Sequence, residues 1–211
     1  MAGGTFITFE GCDGSGKTAQ AKLLADALIS LGRDVLLTRE PGGSPGAELI
    51  RTLLVTGATR RWDGRTEALL HYAARRDHVI NNVKPALKKS KVVISDRFAD
   101  STVAYQGHGY GLSIKDIEKL HEITLANFQP DLTFILDLPV EIGLQRAMRR
   151  GGPEDRYERM DISFHNRIRA GFLSIAEMNP NRCFVINADR KVATIHADIL
   201  EISHQRLQKA H

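Results

Sequence analysis

The sequence has little that would mark a secreted, membrane-bound or metal-stapled protein. Its 211 residues include two cysteines, Cys12 and Cys183. They lie far apart and without metal-ligand spacing, which argues against a disulfide framework and fits a reducing compartment. No stretch approaches the ~18 consecutive apolar residues needed to span a bilayer. The opening segment MAGGTFITFEG lacks the basic stretch and long apolar run of a signal peptide. A soluble, cytoplasmic protein with no membrane partner is therefore expected. Charge of one sign is in short supply as well, with 29 Lys and Arg against 25 Asp and Glu. Aromatic residues are 6%, too few for the basic stripe with interleaved aromatics of a nucleic-acid surface, so no nucleic-acid partner is expected. No repeat, low-complexity tract or interdomain linker is visible, and a single domain over 1–211 is expected.

What the sequence does have is a regular alternation. Thr5–Glu10 (TFITFE) is β-branched and aromatic and is followed by glycine, the pattern of a buried strand. Leu23, Leu24, Ala27, Leu28 and Leu31 recur at helical spacing, predicting a helix over 19–31 that Gly32 stops. Further strands are predicted at 35–38, 92–95, Leu132–Asp137 and Cys183–Asn187. Helices are predicted at 46–55, 65–87, 114–128, 140–149, 161–178 and 194–207. Strand and helix in strict turn imply right-handed crossovers, hence an α/β fold with a five-stranded parallel sheet flanked by helices. Residues 56–64 and the arginine-rich 146–159 fit neither pattern, and long irregular stretches in a compact domain are often lids or binding loops.

Between the first strand and the first helix lies Gly11-Cys12-Asp13-Gly14-Ser15-Gly16-Lys17-Thr18, which matches G-x-x-x-x-G-K-[ST] at every fixed position. Glycines let the backbone curl so that successive N–H groups face phosphate oxygens, and the helix adds its positive end. Lys17 would reach the β and γ phosphates of ATP, and Thr18 would place its hydroxyl on Mg²⁺. The strand before and the amphipathic helix after are the context the motif demands. A guanine-reading N-K-x-D segment is absent, which excludes the GTPases, and the short chain with an arginine-rich lid candidate favours a small-molecule kinase.

At this point the chain resembles the thymidylate kinases nearly from end to end. Residues 9–18 are similar to that family's opening, Thr38-Arg39-Glu40-Pro41-Gly42-Gly43 to its T-R-E-P-G-G segment, and Tyr72-Ala73-Ala74-Arg75 to its Y-A-A-R stretch. Asp96-Arg97-Phe98, with Ser101-Thr102 and Ala104-Tyr105-Gln106-Gly107, matches a longer pattern that a generic P-loop kinase has no reason to carry. The resemblance implies a nucleoside-monophosphate-kinase-like three-layer fold, transfer of phosphate from ATP to dTMP with Mg²⁺, and a homodimer. It implies that Asp13 bonds the sugar hydroxyl, that Glu40 and Asp96 place magnesium or its waters, and that Arg51 and Arg97 hold the acceptor phosphate. Arginine suits that last task because its planar fork binds phosphate through two bonds. Arg75, Thr102 and Gln106 would read the base, with Ser101 beside them, and Tyr105 would crowd the sugar 2′ position. Tyr105 serves equally as a packing aromatic, and Arg75 with Arg76 and Asp77 equally as a solvated helix face.

One position departs from the family. His71, four residues before Arg75 and so on the same helix face, stands where phenylalanine would stack on thymine. Histidine stacks more weakly and is able to carry charge. The lid carries Arg146, Arg149, Arg150, Arg156 and Arg159 around Gly151-Gly152-Pro153. Some thymidylate kinases carry the arginine that neutralises the moving phosphate inside the P-loop; none of the variable P-loop residues here is basic, so the resemblance implies that it comes from the lid, as in the enteric-bacterial type. Arg149 and Arg156 are the first candidates, and Glu158, in the triplet Arg156-Tyr157-Glu158, is expected to face the acceptor. A kinase for another nucleoside monophosphate, a deoxynucleoside kinase and a nucleotide-dependent nucleic-acid-binding protein are the competing readings.

Overall fold

The computed structural model describes residues 3–209. Among them, β1 (Thr5–Glu10), β2 (Val35–Arg39), β3 (Val92–Asp96), β4 (Leu132–Asp137) and β5 (Cys183–Asn187) form one sheet in the order β2-β3-β1-β4-β5. Every neighbouring pair is parallel. β1 sits at the centre because its residues have apolar partners on both faces. Ile7 and Phe9 join a core with Leu24 and Leu28 of α1 (Lys17–Ser30). Phe6, one residue out of phase, joins Val79, Val93 and Phe98 on the other side. A strand buried on both faces reads as a continuous apolar run, as this one does. Phe9 is in register with Asp96, so the carboxyl ends of β1 and β3 finish side by side.

Helices cover both faces, giving three layers. α2 (Pro45–Val55) and α3 (Gly64–His78) follow β2, α6 (Ile114–Leu125) precedes β4, and α7 (Val140–Arg150) and α8 (Ile162–Met178) join β4 to β5. α9 (Val192–Lys209) packs against α1. Asp63 caps α3 by accepting from the Thr66 N–H, and Asp161 caps α8 by accepting from the Phe164 N–H, both at 2.8 Å.

The structure differs from the expected elements in two places. The single helix expected over 65–87 is α3, then a wide π-helical turn at Val79–Val83, then α4 (Lys84–Lys88). Pro85 has no N–H to donate to the preceding turn and its ring crowds the carbonyl there, and the extra residue of the wide turn makes room. The stretch after β3, where no helix was expected, coils as α5 (Ala99–Thr102) and a π-helical run at Val103–Gly109. Its glycines are contact points: a Cβ on Gly109 would come within 2.7 Å of the Phe164 ring, and one on Gly107 within 2.6 Å of Ile114. Tertiary packing on α8 and α6 thus sets a conformation that local propensity does not announce.

Candidate active site

The P-loop lies at the carboxyl end of the central strand, where open parallel sheets bind ligands. Gly14 has φ +75°, and a Cβ there would lie 2.1 Å from the Gly143 carbonyl oxygen of α7. The loop therefore packs backbone to backbone against the first turns of the lid helix. No side chain caps the N-terminus of α1, and Gly16, Lys17 and Thr18 line a cleft of about 1120 Å³. Lys17 folds over its own loop, donating to the Cys12 carbonyl at 2.8 Å. Burial, then the nearby Arg97 charge, lowers its pKa to about 8 although Asp13 and Asp96 oppose the shift. Gly11, Cys12 and Ser15 form the loop's underside and do not line the cleft. Burial pushes the Cys12 thiol up to about 11. Thr18 donates its hydroxyl to Asp96, which faces it from the end of β3. Among the described residues no cluster of three acidic, histidine or cysteine side chains forms. One carboxylate and one hydroxyl beside a phosphate cradle suit magnesium, which keeps several waters and takes phosphate oxygens as ligands.

A second group sits beside the first, built on Asp13 of the loop itself and on Arg97, the residue after Asp96. Arg97 donates to Asp13 Oδ1 at 2.6 Å, to the Gly11 carbonyl and Ser101 Oγ at 3.1 Å, and to the Tyr105 hydroxyl at 3.1 Å. Tyr105 in turn donates to Asp13 Oδ2 at 2.9 Å. Burial works against the charged form of Asp13, but Arg97, Lys17 and the Tyr105 hydroxyl outweigh it and hold the carboxyl at about 2. Arg97 adopts φ +72°, a left-handed backbone that few non-glycine residues take and that clusters at functional sites. Glu10 fixes this turn from below. Its carboxyl accepts from the Phe98 N–H at 2.7 Å and from Ser101 Oγ at 2.6 Å, and burial, then the Asp100 charge, raises its pKa.

His71, Gln106, Arg51 and Glu158 line the same cleft. Burial, then the charges of Arg75, Arg97, Arg156 and Arg51, lowers the His71 pKa to about 3, so the ring is neutral at physiological pH. Arg51 donates Nε and Nη2 to the two carboxylate oxygens of lid residue Glu154, at 3.0 and 2.5 Å, and Nη1 to the Pro41 carbonyl. Glu158 is bridged to Arg150, and burial, then the Asp13 charge, raises its pKa.

Four residues sit elsewhere than expected, and a fifth, Glu40, lines the cleft but is tied to its neighbours, one carboxylate oxygen accepting from Arg75 Nε at 2.7 Å and the other facing His78 Nδ1 at 2.9 Å. Arg75 is buried, with its other two nitrogens on Thr102 Oγ1 and the Phe98 carbonyl. Neither Arg75 nor Thr102 lines the cleft. Arg149 is exposed and outside the lining, where Arg146 and Arg150 stand instead. Arg156 is 1% exposed and pairs with Glu67, while its remaining donors reach the Leu54, Ala58 and Thr59 carbonyls. It fastens the lid to the chain around 54–59 rather than reaching into the cleft.

Glu67, His78 and Tyr157 escaped the sequence reading. The signal was the spacing: Glu67, His71 and Arg75 fall at intervals of four on α3, and His78 follows three later. That is one polar stripe on the buried face of a helix.

The thymidylate kinase family profile matches residues 9–199. The chain is 53% identical to the thymidylate kinase of Caulobacter vibrioides over 207 residues, 98% of this chain and 99% of that one. It is 50% identical to that of Dinoroseobacter shibae over 197 residues, 93% and 95% of the two chains. The crystal structure of thymidylate kinase from Ehrlichia chaffeensis superposes with a TM-score of 0.77 at 38% identity, covering 95% of this chain and 98% of that one.

Proposed function

The chain belongs to the thymidylate kinase family, and on that premise we propose how its side chains divide the work. The reaction is phosphorylation of dTMP to dTDP with ATP and Mg²⁺. The observation that carries the division of labour is that one cleft holds two prepared ends. Lys17 and Thr18 of the P-loop with Asp96 form one, and Arg97 and Tyr105, gathered on the loop's Asp13 next to it, form the other.

ATP lies with its phosphates on the P-loop N–H groups and Lys17. Thr18 and Asp96 are the residues that would hold magnesium, which would neutralise charge on the phosphates. Arg97 and Arg51 seat the acceptor phosphate, and Arg51 exchanges the two oxygens of Glu154 for those of the phosphate. Asp13 receives the sugar hydroxyl, and Tyr105 narrows the space beside it. Neutral His71 and Gln106 flank the base. Glu40 acts by holding Arg75, which in turn braces Thr102 and the Phe98 turn. An oxygen of the acceptor phosphate attacks the γ-phosphorus in line, and the bond to the bridging oxygen breaks with its electrons leaving on ADP. No strong base is needed because the nucleophile is already an anion. Catalysis is positioning plus charge neutralisation, with Arg146 and Arg150 the lid arginines facing the transferred group.

The kinase domain spans 1–211, with the lid at about 146–159. Among the described residues no helix is long and apolar enough to cross a membrane. A cytoplasmic location fits substrates of the nucleotide pool and two unpaired cysteines. Leu69 on α3 and Ile123 on α6, 52% and 82% exposed, share a shallow groove with Leu112 and Leu120. An apolar exposed patch of this kind supports pairing of two copies. The test is ADP release by purified protein with ATP and Mg²⁺ against dTMP, ribo-TMP, dCMP and thymidine. Highest kcat/KM on dTMP is expected, and activity on thymidine but on no monophosphate would overturn the roles of Arg51 and Arg97.

A further inference from the structure

Glu67 has no role in the chemistry above, yet it is fully buried and receives four donors. Oε1 accepts from Arg156 and, at 3.0 Å, from the Tyr110 hydroxyl. Oε2 accepts from Gln106 Nε2 and from the Tyr157 hydroxyl, both at 2.8 Å. A carboxylate held by an arginine offers only lone pairs. The Gln106 amide therefore has no choice of orientation: its NH₂ must face Glu67, and its oxygen must face away. That oxygen is buried and has no partner in the protein, although Gln106 lines the cleft. An unsatisfied buried acceptor is unfavourable, and a ligand that donates to it gains accordingly.

We propose that Glu67 is a positioning residue for base selection: by taking the Gln106 NH₂, it fixes the amide oxygen as the acceptor for a ring N–H of the base. Thymine and uracil carry a hydrogen on N3, whereas the cytosine N3 is a bare lone pair that would face the Gln106 oxygen like to like. Glu67 thus selects against cytosine without touching the substrate, and it is indifferent to the thymine methyl. The same carboxylate fastens Arg156 and Tyr157, so the base reader and the root of the lid share one support. The inference rests on the proposed seat of the base beside His71 and Gln106.

The test is kcat/KM for dTMP, dUMP and dCMP in the native protein, Glu67→Gln, Gln106→Met and the double variant. Glu67→Gln makes the Gln106 amide free to turn, so the dTMP-to-dCMP ratio is expected to fall at least ~10-fold while the dTMP-to-dUMP ratio stays within ~2-fold. Gln106→Met is expected to show the same signature, with the double variant no worse than either single change. Glu67→Gln leaves Arg156 buried without its counter-charge. If that variant does not fold, Glu67→Gln with Arg156→Met removes both charges and must give the same ratios. Equal losses on all three nucleotides would mean a merely structural role and overturn the proposal. So would an unchanged dTMP-to-dCMP ratio, or loss of discrimination in Glu67→Gln while Gln106→Met keeps it. A native protein with no preference for dTMP over dCMP would instead sink the base seat itself, and the proposal with it.

Discussion

The two walls of the cleft are built on different principles. On the sheet side, the P-loop, the Arg97 turn and Asp96 are set by strand ends, backbone packing and buried hydrogen bonds. On the lid side, most groups are held by partly exposed ion pairs: Arg51 with Glu154, Arg150 with Glu158, Arg159 with Asp155. Among the described residues, Arg156 with Glu67 is the one buried lid pair. The difference matches two tasks. Groups that orient reacting atoms must not move, whereas groups that close over a substrate must trade one partner for another at little free-energy difference. Each of these pairs keeps one partner at least 46% exposed, so water screens it and a phosphate replaces such a carboxylate readily. A buried pair does not come apart that way.

Breaking the sheet side should have the larger consequences. Arg97→Met removes the acceptor-phosphate fork and leaves Asp13 with Tyr105 alone, and kcat/KM for dTMP is expected to fall by about 10³, or ~4 kcal/mol of transition-state stabilisation. Gly14→Ala puts a Cβ at φ +75° against the Gly143 carbonyl. It is expected to lower stability by more than ~1 kcal/mol in urea unfolding, and to weaken ATP binding in calorimetry. The pH profile is a milder probe. Lys17, with its pKa lowered to about 8, is charged below that pH and neutral above it. So kcat/KM for ATP, which reports the free enzyme, is expected to decline as pH rises through about 8. On the lid side, Glu154→Gln should do least: it frees Arg51, and KM for dTMP is expected to fall by no more than ~5-fold with kcat unchanged. A loss as large as that of Arg97→Met would erase the contrast between the walls.

The same contrast explains what was legible in the sequence. The P-loop, the strand ends and the parallel order follow from local rules, because glycine turns and apolar runs declare themselves within ten residues. Lys17 and Thr18 follow from the loop motif that way, whereas Asp13, Asp96 and Arg97 were assigned through the family resemblance. The lid was recognised as a segment but not resolved into roles. Whether Arg149, Arg150 or Arg156 faces the cleft depends on where α7 stops and on Glu67, 89 residues away from Arg156. Arg75 is a related case: its motif marks it as important, but only packing shows that Glu40, Thr102 and the Phe98 carbonyl take three of its five N–H donors. The π-helical turns at Val79–Val83 and Val103–Gly109 carry no periodic signature and are settled by Pro85 and by contacts with α6 and α8.

The most direct test of a single cleft with two prepared ends is calorimetric titration with a dinucleotide that joins adenosine and thymidine through five phosphates. One such molecule per chain is expected to bind at least ~100-fold more tightly than dTMP, since one linker presents both halves at once. It should be displaced by ATP alone and by dTMP alone. Displacement by ATP but not by dTMP, or affinity no better than that for ATP, would contradict the arrangement of Thr18 and Asp96 beside Asp13 and Arg97 in one site.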